Sequence, residues 1–420
     1  MKEPNGRTSW PNEKRNIIAG IWHGTFFKFG SAFSQENSIL PSFIYSLTGS
    51  QILVGLLSTI QRIGVVAPQL LLAHFLSRRP CKKKYLVGAI YLRSLVWFIM
   101  GFVVWFLADS NPGLTIILAF GLLMLFFMAG SMGQLVYSYL LSTTVSPERR
   151  GRFFGLNNLT GGLAGILAGW LARELLSRTS ETALHGYGLL FLVTAAAFAV
   201  AGLGFIYMRE TRLSDFKPAP ALSAYLRQSL GIVRENSLFR QVLLVSVFNA
   251  SVFIILPFFV VLARQQLQAS DAEIGFFVMM QVAGEMAGGM LWGAVADRYG
   301  YRRVLIGVAT VYSGLPLYAT WAAHYMPALY LITFFLMGAV LKSSENAVRN
   351  YLLEMTTPQK VPTFIALKNT ISAPTLFYPL LGGLLTGYLG YYTVFGAVAL
   401  LSAAGLFLAL RLPEPREKTA

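Results

Sequence analysis

Long apolar runs separated by short polar turns make up most of the chain. A transmembrane helix needs about 20 mostly apolar residues to cross the hydrocarbon layer, and the pattern predicts twelve such helices. The predicted spans cover residues 17–45, 51–76, 85–107, 114–142, 153–176, 187–208, 239–263, 272–296, 304–323, 327–351, 363–388 and 391–411. The sequence therefore predicts an all-α integral membrane protein that crosses the bilayer an even number of times.

Composition supports this interpretation. Of the 420 residues, 55% are hydrophobic and only 12% are charged, and the mean hydropathy is +0.58. A soluble protein has about 25% charged residues, so lipid is the predicted solvent for most of this chain. The net charge of +16 does not indicate nucleic-acid binding, because Lys and Arg fall in short loops and not on one face of a soluble domain.

The loops alternate strongly in basic charge. Those on the side of the N-terminus hold 25 Lys and Arg, and those on the other side hold only Arg173, Arg178 and Arg264. Basic residues accumulate on the cytoplasmic side of membrane proteins, which predicts a cell-membrane protein with both termini in the cytoplasm. The polar N-terminal segment, residues 1–15, has no apolar core, so no cleaved signal peptide is predicted. A single cysteine, Cys81, excludes an intramolecular disulfide and a multi-cysteine metal site.

The longest polar stretch, residues 209–236, lies between the sixth and seventh spans. Within it, apolar residues recur at helical spacing: Leu222, Tyr225, Leu226, Leu230 and Val233. This predicts an amphipathic helix at the lipid headgroups, with a partner-binding segment as the alternative. The predicted domains are a six-helix bundle over 1–208, a linker over 209–238 and a second bundle with a short tail over 239–420.

The two halves repeat each other. When Pro147 is set on Pro358, the residues Phe153, Leu156 and Asn158 align with Phe364, Leu367 and Asn369. When Lys83 is set on Arg303, the basic loop after the second span aligns with the one after the eighth. Equivalent loops and spans therefore occur in each half.

The loop after the eighth span carries a known motif. Its spacing is Gly-x-x-x-Asp-Arg-x-Gly-x-[Arg/Lys]-[Arg/Lys], formed here by Gly293, Asp297, Arg298, Gly300, Arg302 and Arg303. This loop resembles that of the major facilitator superfamily of transporters. The resemblance implies two pseudo-symmetric bundles of six helices, related by an axis along the membrane normal.

In that family the loop aspartate latches the two halves on the cytoplasmic side while the cavity opens outward. The resemblance therefore implies that Asp297 contacts Arg149 or Arg152 at the start of the fifth span, where a helix N-terminus also favours a carboxylate. The alternative is that the loop cations only fix topology and bind anionic lipid. The first-half loop has Ser77 in place of the aspartate and Pro80 in place of the glycine, so its gating role is left open.

Charged residues inside the membrane usually face a bundle interior or a watery cavity. Six cations and three anions occupy such positions: Lys28, Arg62, Arg93, Lys342, Arg349 and Lys368, with Glu36, Glu285 and Glu345. On one continuous helix Lys28 and Glu36 would lie about 80° apart, so both would face one cavity. Arg62 is the candidate to meet Glu36 or a substrate anion, and the alternative is a structural ion pair. Arg93 is expected to extend towards the cytoplasmic headgroups.

The tenth and eighth spans carry further charges. Lys342, Glu345 and Arg349 form one stripe on the tenth span, able to satisfy itself as an internal network. On the eighth span Gln281 and Glu285 share a face, and no cation stands near Glu285 in the sequence. Glu285 and Glu36 are therefore the candidates for proton coupling, with uniport or sodium coupling as alternatives.

Glycines and prolines predict close helix contacts and breaks. Small-residue faces are formed by Gly161, Gly162, Gly165 and Gly169 on the fifth span and by Gly284, Gly288, Gly289 and Gly293 on the eighth. On the eleventh span, Pro374 and Pro379 precede two glycines, which predicts a kink there.

These features favour a secondary transporter that works by alternating access, with its substrate held near mid-membrane between the halves. The excess of intramembrane cations favours an anionic or zwitterionic organic solute. The alternatives are a proton-linked exporter of drugs or amphiphiles and a receptor or scaffold without transport. An enzyme is not predicted, because the sequence has no phosphate-binding loop and its four histidines are scattered. No cofactor is expected, and the expected partners are the solute, membrane lipids and protons around a monomer.

Overall fold

A computed structural model describes residues 12–77, 79, 81–178, 183–210, 236–356 and 361–415. Regular structure in these ranges is entirely helical. The helices before the linker are α1 (Glu13–Ala32), α2 (Ile39–Thr48), α3 (Gln51–Val66), α4 (Gln69–Ser77), α5 (Lys83–Leu107), α6 (Pro112–Thr144), α7 (Pro147–Arg178) and α8 (Ala183–Tyr207). Those after it are α9 (Ser237–Asn249), α10 (Phe258–Gln266), α11 (Asp271–Tyr299), α12 (Tyr301–Tyr325), α13 (Leu331–Glu354), α14 (Val361–Ile371), α15 (Tyr378–Leu389) and α16 (Tyr391–Leu410).

Eight stretches in the described chain are long and apolar enough to cross a membrane, by length and composition alone. They correspond to the predicted third, fourth, sixth, seventh, eighth, ninth, tenth and twelfth spans. The fifth predicted span is the long helix α7, which is more polar and glycine-rich. The first, second and eleventh are each divided into shorter helices.

The break in the first span corrects one prediction. Helix α1 ends at Ala32 and α2 begins at Ile39, so Glu36 lies between two helices. The polar run from Ser34 to Ser38 does not continue the helix. Instead, tight turns end it, in which the carbonyl oxygens of Gly30 and Ser31 accept backbone hydrogen bonds. The 80° angle between Lys28 and Glu36 therefore does not apply.

Prolines mark the other breaks. Helix α3 gives way to α4 at Pro68, where the proline ring cannot continue the hydrogen-bond ladder. The kink predicted in the eleventh span is confirmed, because α14 ends at Ile371 and a 3-10 helix, Ala373–Phe377, precedes α15.

Contacts divide the chain into two compact units. The first comprises Met1–Gln35 with Ile60–Ala219, and the second comprises Glu36–Thr59 with Pro220–Ala420. Helix α2 belongs to the second unit, where Arg264 of α10 donates a hydrogen bond to Ser42 Oγ over 2.8 Å and pairs with Asp271. The predicted domain boundaries at 209 and 238 stay a prediction. The predicted amphipathic helix, with Leu222 and Val233 at its ends, lies outside the described residues.

The internal packing of one unit repeats in the other. In the first unit, α5 packs on α8 and α6, and α1 packs on α8 and α7. In the second, α12 packs on α16 and α13, and α9 packs on α16. In the first unit, Lys83 Nζ donates a hydrogen bond to the Ile206 carbonyl oxygen over 2.7 Å. In the second, Arg302 donates a hydrogen bond to the Leu410 carbonyl oxygen over 2.8 Å. Lys83 and Arg302 thus make equivalent contacts with the last helix of their units, and the alignment of Lys83 with Arg303 stays a prediction.

The start of α7 is capped by a carboxylate that sequence reasoning missed. Glu13, on the polar end of α1 before the predicted first span, accepts a hydrogen bond from the Ser146 N–H over 2.8 Å. It also forms an ion pair with Arg149 over 3.1 Å. Desolvation raises the pKa of Glu13, but the hydrogen bonds from Ser146 and the charge of Arg149 outweigh it, so the pKa is lowered.

A carboxyl group whose pKa is lower in the folded state stabilises the fold above its unfolded pKa, and that stabilisation is lost as the pH falls through the folded pKa. We therefore expect Glu13→Gln to lower the unfolding free energy at pH 7 by about 1 kcal/mol, a typical value for a helix cap. The difference from the parent should shrink below about pH 4. Thermal unfolding of purified protein between about pH 3 and pH 8 measures this difference. Glu148→Gln, an exposed carboxylate in the first turn of α7, is the control and should change stability less.

Candidate functional site in the second unit

An ion pair between neighbouring helices forms the centre of the candidate site. Lys342 of α13 donates a hydrogen bond to Glu285 of α11, and the two form a salt bridge. The Glu285 side chain is 21% exposed and that of Lys342 is 66% exposed. No cation stands near Glu285 in the sequence, and the structure supplies one from 57 residues away in the chain.

Glycines bring these two helices together. A Cβ atom at Gly284 would lie 2.0 Å from the Phe335 carbonyl oxygen, and one at Gly288 would lie 2.2 Å from that of Ala339. On the opposite helix, a Cβ at Gly338 would lie 2.0 Å from the Gln281 carbonyl oxygen. The small-residue face predicted on the eighth span is confirmed at its two buried glycines, and the close approach positions Glu285 beside Lys342.

Two further carboxylates act on the same ammonium group. The charges of Glu36 and Glu345 both interact electrostatically with Lys342, in addition to that of Glu285. The predicted stripe on the tenth span is therefore corrected in part: the carboxylate that directly pairs with Lys342 comes from α11 and not from Glu345. Arg349, at the other end of the stripe, donates to Asn346 Oδ1 over 3.5 Å.

One turn before Glu285, Gln281 is almost completely buried, with 1% of its surface exposed. Its Oε1 atom makes no hydrogen bond within the described part of the chain. A buried amide oxygen without a donor is costly. The Oε1 atom of Gln281 is thus a hydrogen-bond acceptor without a donor among the described residues, and it lies on the same helix face as Glu285.

The first unit holds its own intramembrane cations. Lys28 donates to Asn158 Oδ1 over 3.0 Å, and its aliphatic stem lies against Gly161, where a Cβ would come within 2.4 Å of Lys28 Cδ. Asn158 appeared in the sequence repeat, but its role as an acceptor for Lys28 was not recognised. Arg62, half-buried in α3, lies in the first unit, whereas Glu36 lies in the second. The predicted contact between Arg62 and Glu36 stays a prediction.

Arg93 does not extend to the headgroups as expected. Its guanidinium lies over the rings of Phe126, Phe27 and Phe198, at 4.2, 4.7 and 5.4 Å from their centroids. These rings come from three different helices, and a cation is attracted to the face of an aromatic ring. Arg93 is therefore an interior residue of the first unit.

The loop between α11 and α12 has the geometry that its motif requires. Gly300 joins the helices with φ 80° and ψ 168°, a backbone conformation essentially restricted to glycine. A Cβ at this position would also lie 2.5 Å from Oε1 of Glu414. Arg302 bonds the end of α16, while Gly293, Asp297, Arg298 and Arg303 are exposed.

The predicted latch involves Asp297 in the second unit and Arg149 or Arg152 in the first. Arg152 is exposed, and Arg149 has a partner of its own unit in Glu13. The latch stays a prediction. In the first-half loop, Pro80 lies outside the described residues, and Ser77 is the last residue of α4.

The fold of this chain is similar to the folds of several solved structures. A nucleoside transporter, NupG (D323A mutant), is 13% identical with a TM-score of 0.70, over 95% of this chain and 99% of that one. A D-xylose-proton symporter is 14% identical with a TM-score of 0.69, over 97% and 99%. A bacterial homologue of the iron transporter ferroportin, in an inward-facing state, is 15% identical with a TM-score of 0.66, over 96% and 100%. At these identities the likeness shows the fold. A comparison with curated proteins gives no match.

The family model for the Major Facilitator Superfamily matches residues 22–264 and 242–420. The chain belongs to the major facilitator superfamily. The all-helical fold anticipated from the loop motif is confirmed, and the protein is a multi-pass membrane protein of a transporter family. In the second unit of this superfamily protein, Glu285 and Lys342 form an ion pair between two helices that lie within predicted membrane spans.

Proposed function

We propose that this superfamily protein is a proton-coupled secondary transporter of a small anionic or zwitterionic organic solute. Alternating access, which is typical of the family, supplies the transport cycle. The observation that carries the proposal is the pairing of Lys342 with Glu285, with the charges of two further carboxylates acting on the same ammonium group.

Charge balance supports proton coupling. The negative charges of Glu285, Glu36 and Glu345 all act on one ammonium group, and the three carboxylates repel one another. Uptake of a proton by one of these carboxylates lowers that repulsion. In our proposal Glu285 accepts this proton, which removes its negative charge from Lys342.

The same event frees a binding group for the solute. An ammonium group has three N–H donors, and most of the Lys342 side chain is exposed. When Glu285 is neutral, Lys342 attracts a carboxylate or phosphate of the solute in its place. Proton and solute would thus bind together, which is the requirement for symport.

Orientation and gating complete the proposal. The basic loops favour cytoplasmic termini, and we propose that the protein lies in the cell membrane with both termini in the cytoplasm and acts as a monomer. Asp297, with the neighbouring cations Arg298 and Arg303, would gate the cytoplasmic side.

Purified protein in liposomes tests the function. A panel of labelled amino acids, dicarboxylates and organic phosphates is compared with neutral nucleosides and sugars, under an imposed pH gradient or sodium gradient. We expect accumulation of at least one charged solute under the pH gradient, with loss of the signal on adding a protonophore. Accumulation of neutral solutes only, or under the sodium gradient only, would contradict the proposal. Binding without flux would identify a receptor.

A further inference from the structure

A groove with an apolar wall runs between α1 and α8 of the first unit. Its volume is about 450 Å³. Ile18 and Trp22 of α1 and Leu203 and Ile206 of α8 line it, and all four side chains are exposed. In a membrane protein such a surface faces acyl chains.

The floor of the groove is fixed by close backbone packing. A Cβ at Gly204 would lie 2.6 Å from the Ala19 carbonyl oxygen, so the two helices approach at this glycine. Trp22 Nε1 donates to the Val200 carbonyl oxygen over 2.9 Å, which holds the indole at the rim. The groove is therefore a preformed feature of the α1–α8 contact.

Cations collect at the end of the groove near the basic loops. Arg15 Nε donates to the Tyr207 carbonyl oxygen over 2.7 Å, and its guanidinium lies 4.1 Å from the centroid of the Tyr207 ring. Lys83 Nζ bonds the carbonyl oxygen of Ile206. The charges of Arg15 and Arg209 both act on Lys83, so three like charges lie within interaction distance.

The nearby carboxylate only partly balances these charges. Glu210 accepts hydrogen bonds from the backbone N–H groups of Lys82 and Lys83, over 2.8 and 3.0 Å, and thereby caps the start of α5. One carboxylate beside three cations leaves an excess of positive charge at the mouth of an apolar groove. A ligand with an anionic head and an apolar chain matches both parts.

We propose that this groove is a binding site for an anionic phospholipid. One acyl chain lies along Trp22 and Leu203, and the phosphate group interacts with Arg15 and Arg209. The anchored guanidinium of Arg15 retains N–H donors for phosphate oxygens. Basic pockets between transmembrane helices on the cytoplasmic side bind anionic headgroups in this way. The proposal does not depend on which solute the protein transports.

Quenching of tryptophan fluorescence by brominated acyl chains tests the site. The full-length protein is reconstituted in phosphatidylcholine nanodiscs, in which a small fraction of the lipid is brominated phosphatidylglycerol or brominated phosphatidylcholine. We expect stronger quenching by the brominated phosphatidylglycerol. The difference should disappear in Trp22→Phe, which identifies the reporter.

Charge variants identify the headgroup contact. Arg15→Gln should reduce the preference for phosphatidylglycerol about fivefold, the effect expected for one cation at a membrane surface. Arg15→Lys retains the charge and should retain most of the preference. Arg178→Gln, which changes an exposed cation paired with Glu174 at the far end of α7, is the matched control and should leave the preference unchanged.

Several results would overturn the site. Equal quenching by the two lipids, or an unchanged preference in Arg15→Gln, would show that no headgroup is recognised here. Competition by free inorganic phosphate would mean that the cations bind an ion and not a lipid. Quenching that appears only after cleavage within the predicted linker, residues 209–238, would mean that the linker occupies the groove.

Discussion

Glu285→Gln should reduce solute accumulation driven by a pH gradient about tenfold or more, since a hydrogen bond between charged groups contributes about 1.5–3 kcal/mol. Glutamine keeps the size of the side chain but can neither pair with the charge of Lys342 nor take up a proton. Exchange of labelled for unlabelled solute at equal pH should be less affected, because it needs no net proton movement. The measurement is uptake into proteoliposomes with and without the gradient.

Variants of Lys342, the partner of Glu285, provide a second test of the pair. Lys342→Met leaves Glu285 without its cation, so we expect lower thermal stability as well as lost transport. Combining Glu285→Gln with Lys342→Met removes both charges and should recover stability but not coupling, because a charge pair can be replaced by neutral residues when both partners change. Glu174→Gln makes the same chemical change at a surface pair and should leave transport within about twofold.

Retained pH-driven accumulation in Glu285→Gln would assign the proton to another group. Glu36→Gln and Glu345→Gln would then be examined in the same assay, because both carboxylates act on Lys342. Loss of binding, exchange and pH-driven uptake together, in a stable protein, would instead make Glu285 a solute-binding residue.

Gly288→Ala should destabilise the second unit by about 2–3 kcal/mol, within the range for overpacked interiors. The new methyl group would lie 2.2 Å from the Ala339 carbonyl oxygen, which is backbone and cannot rotate away. The helices α11 and α13 must therefore separate. Since Glu285 and Lys342 lie within one turn of this contact, transport should fall together with stability.

The adjacent glycine provides a close control. A Cβ at Gly289 has no atom within 4 Å among the described residues, so Gly289→Ala should leave stability unchanged or raise it by up to about 1 kcal/mol through better helix propensity. Thermal unfolding in detergent compares the two variants. Equal midpoints would show that the α11–α13 contact is not as tight as the structure has it.

The sequence predicted most of the fold because lipid imposes a simple rule on the chain. Each crossing needs a long apolar run, and each loop on the cytoplasmic side collects Lys and Arg. Glycine spacing also identified the faces at Gly284 and Gly288, and the prolines identified the break at Pro374. These are local properties that can be recognised within about 20 residues.

The same local rules failed where the outcome depended on distant residues. The first span was predicted as one helix because its apolar content is high, yet the polar run around Glu36 ends α1 at Ala32. Arg93 was expected at the headgroups because a long side chain can extend there. Instead, rings from α1, α6 and α8 form a site for its guanidinium inside the first unit.

The sequence by itself determined the class of protein, its loop motif and the residue types available for chemistry. The spacing of apolar residues and the distribution of charge are local properties that can be recognised without the fold. Only the tertiary structure decided which charges meet. Lys342 was predicted to pair along its own helix, but its partner is Glu285, and no spacing rule joins residues on separate helices. Close backbone packing at Gly284, Gly288 and Gly338 makes that pairing, and packing depends on all of the helices at once.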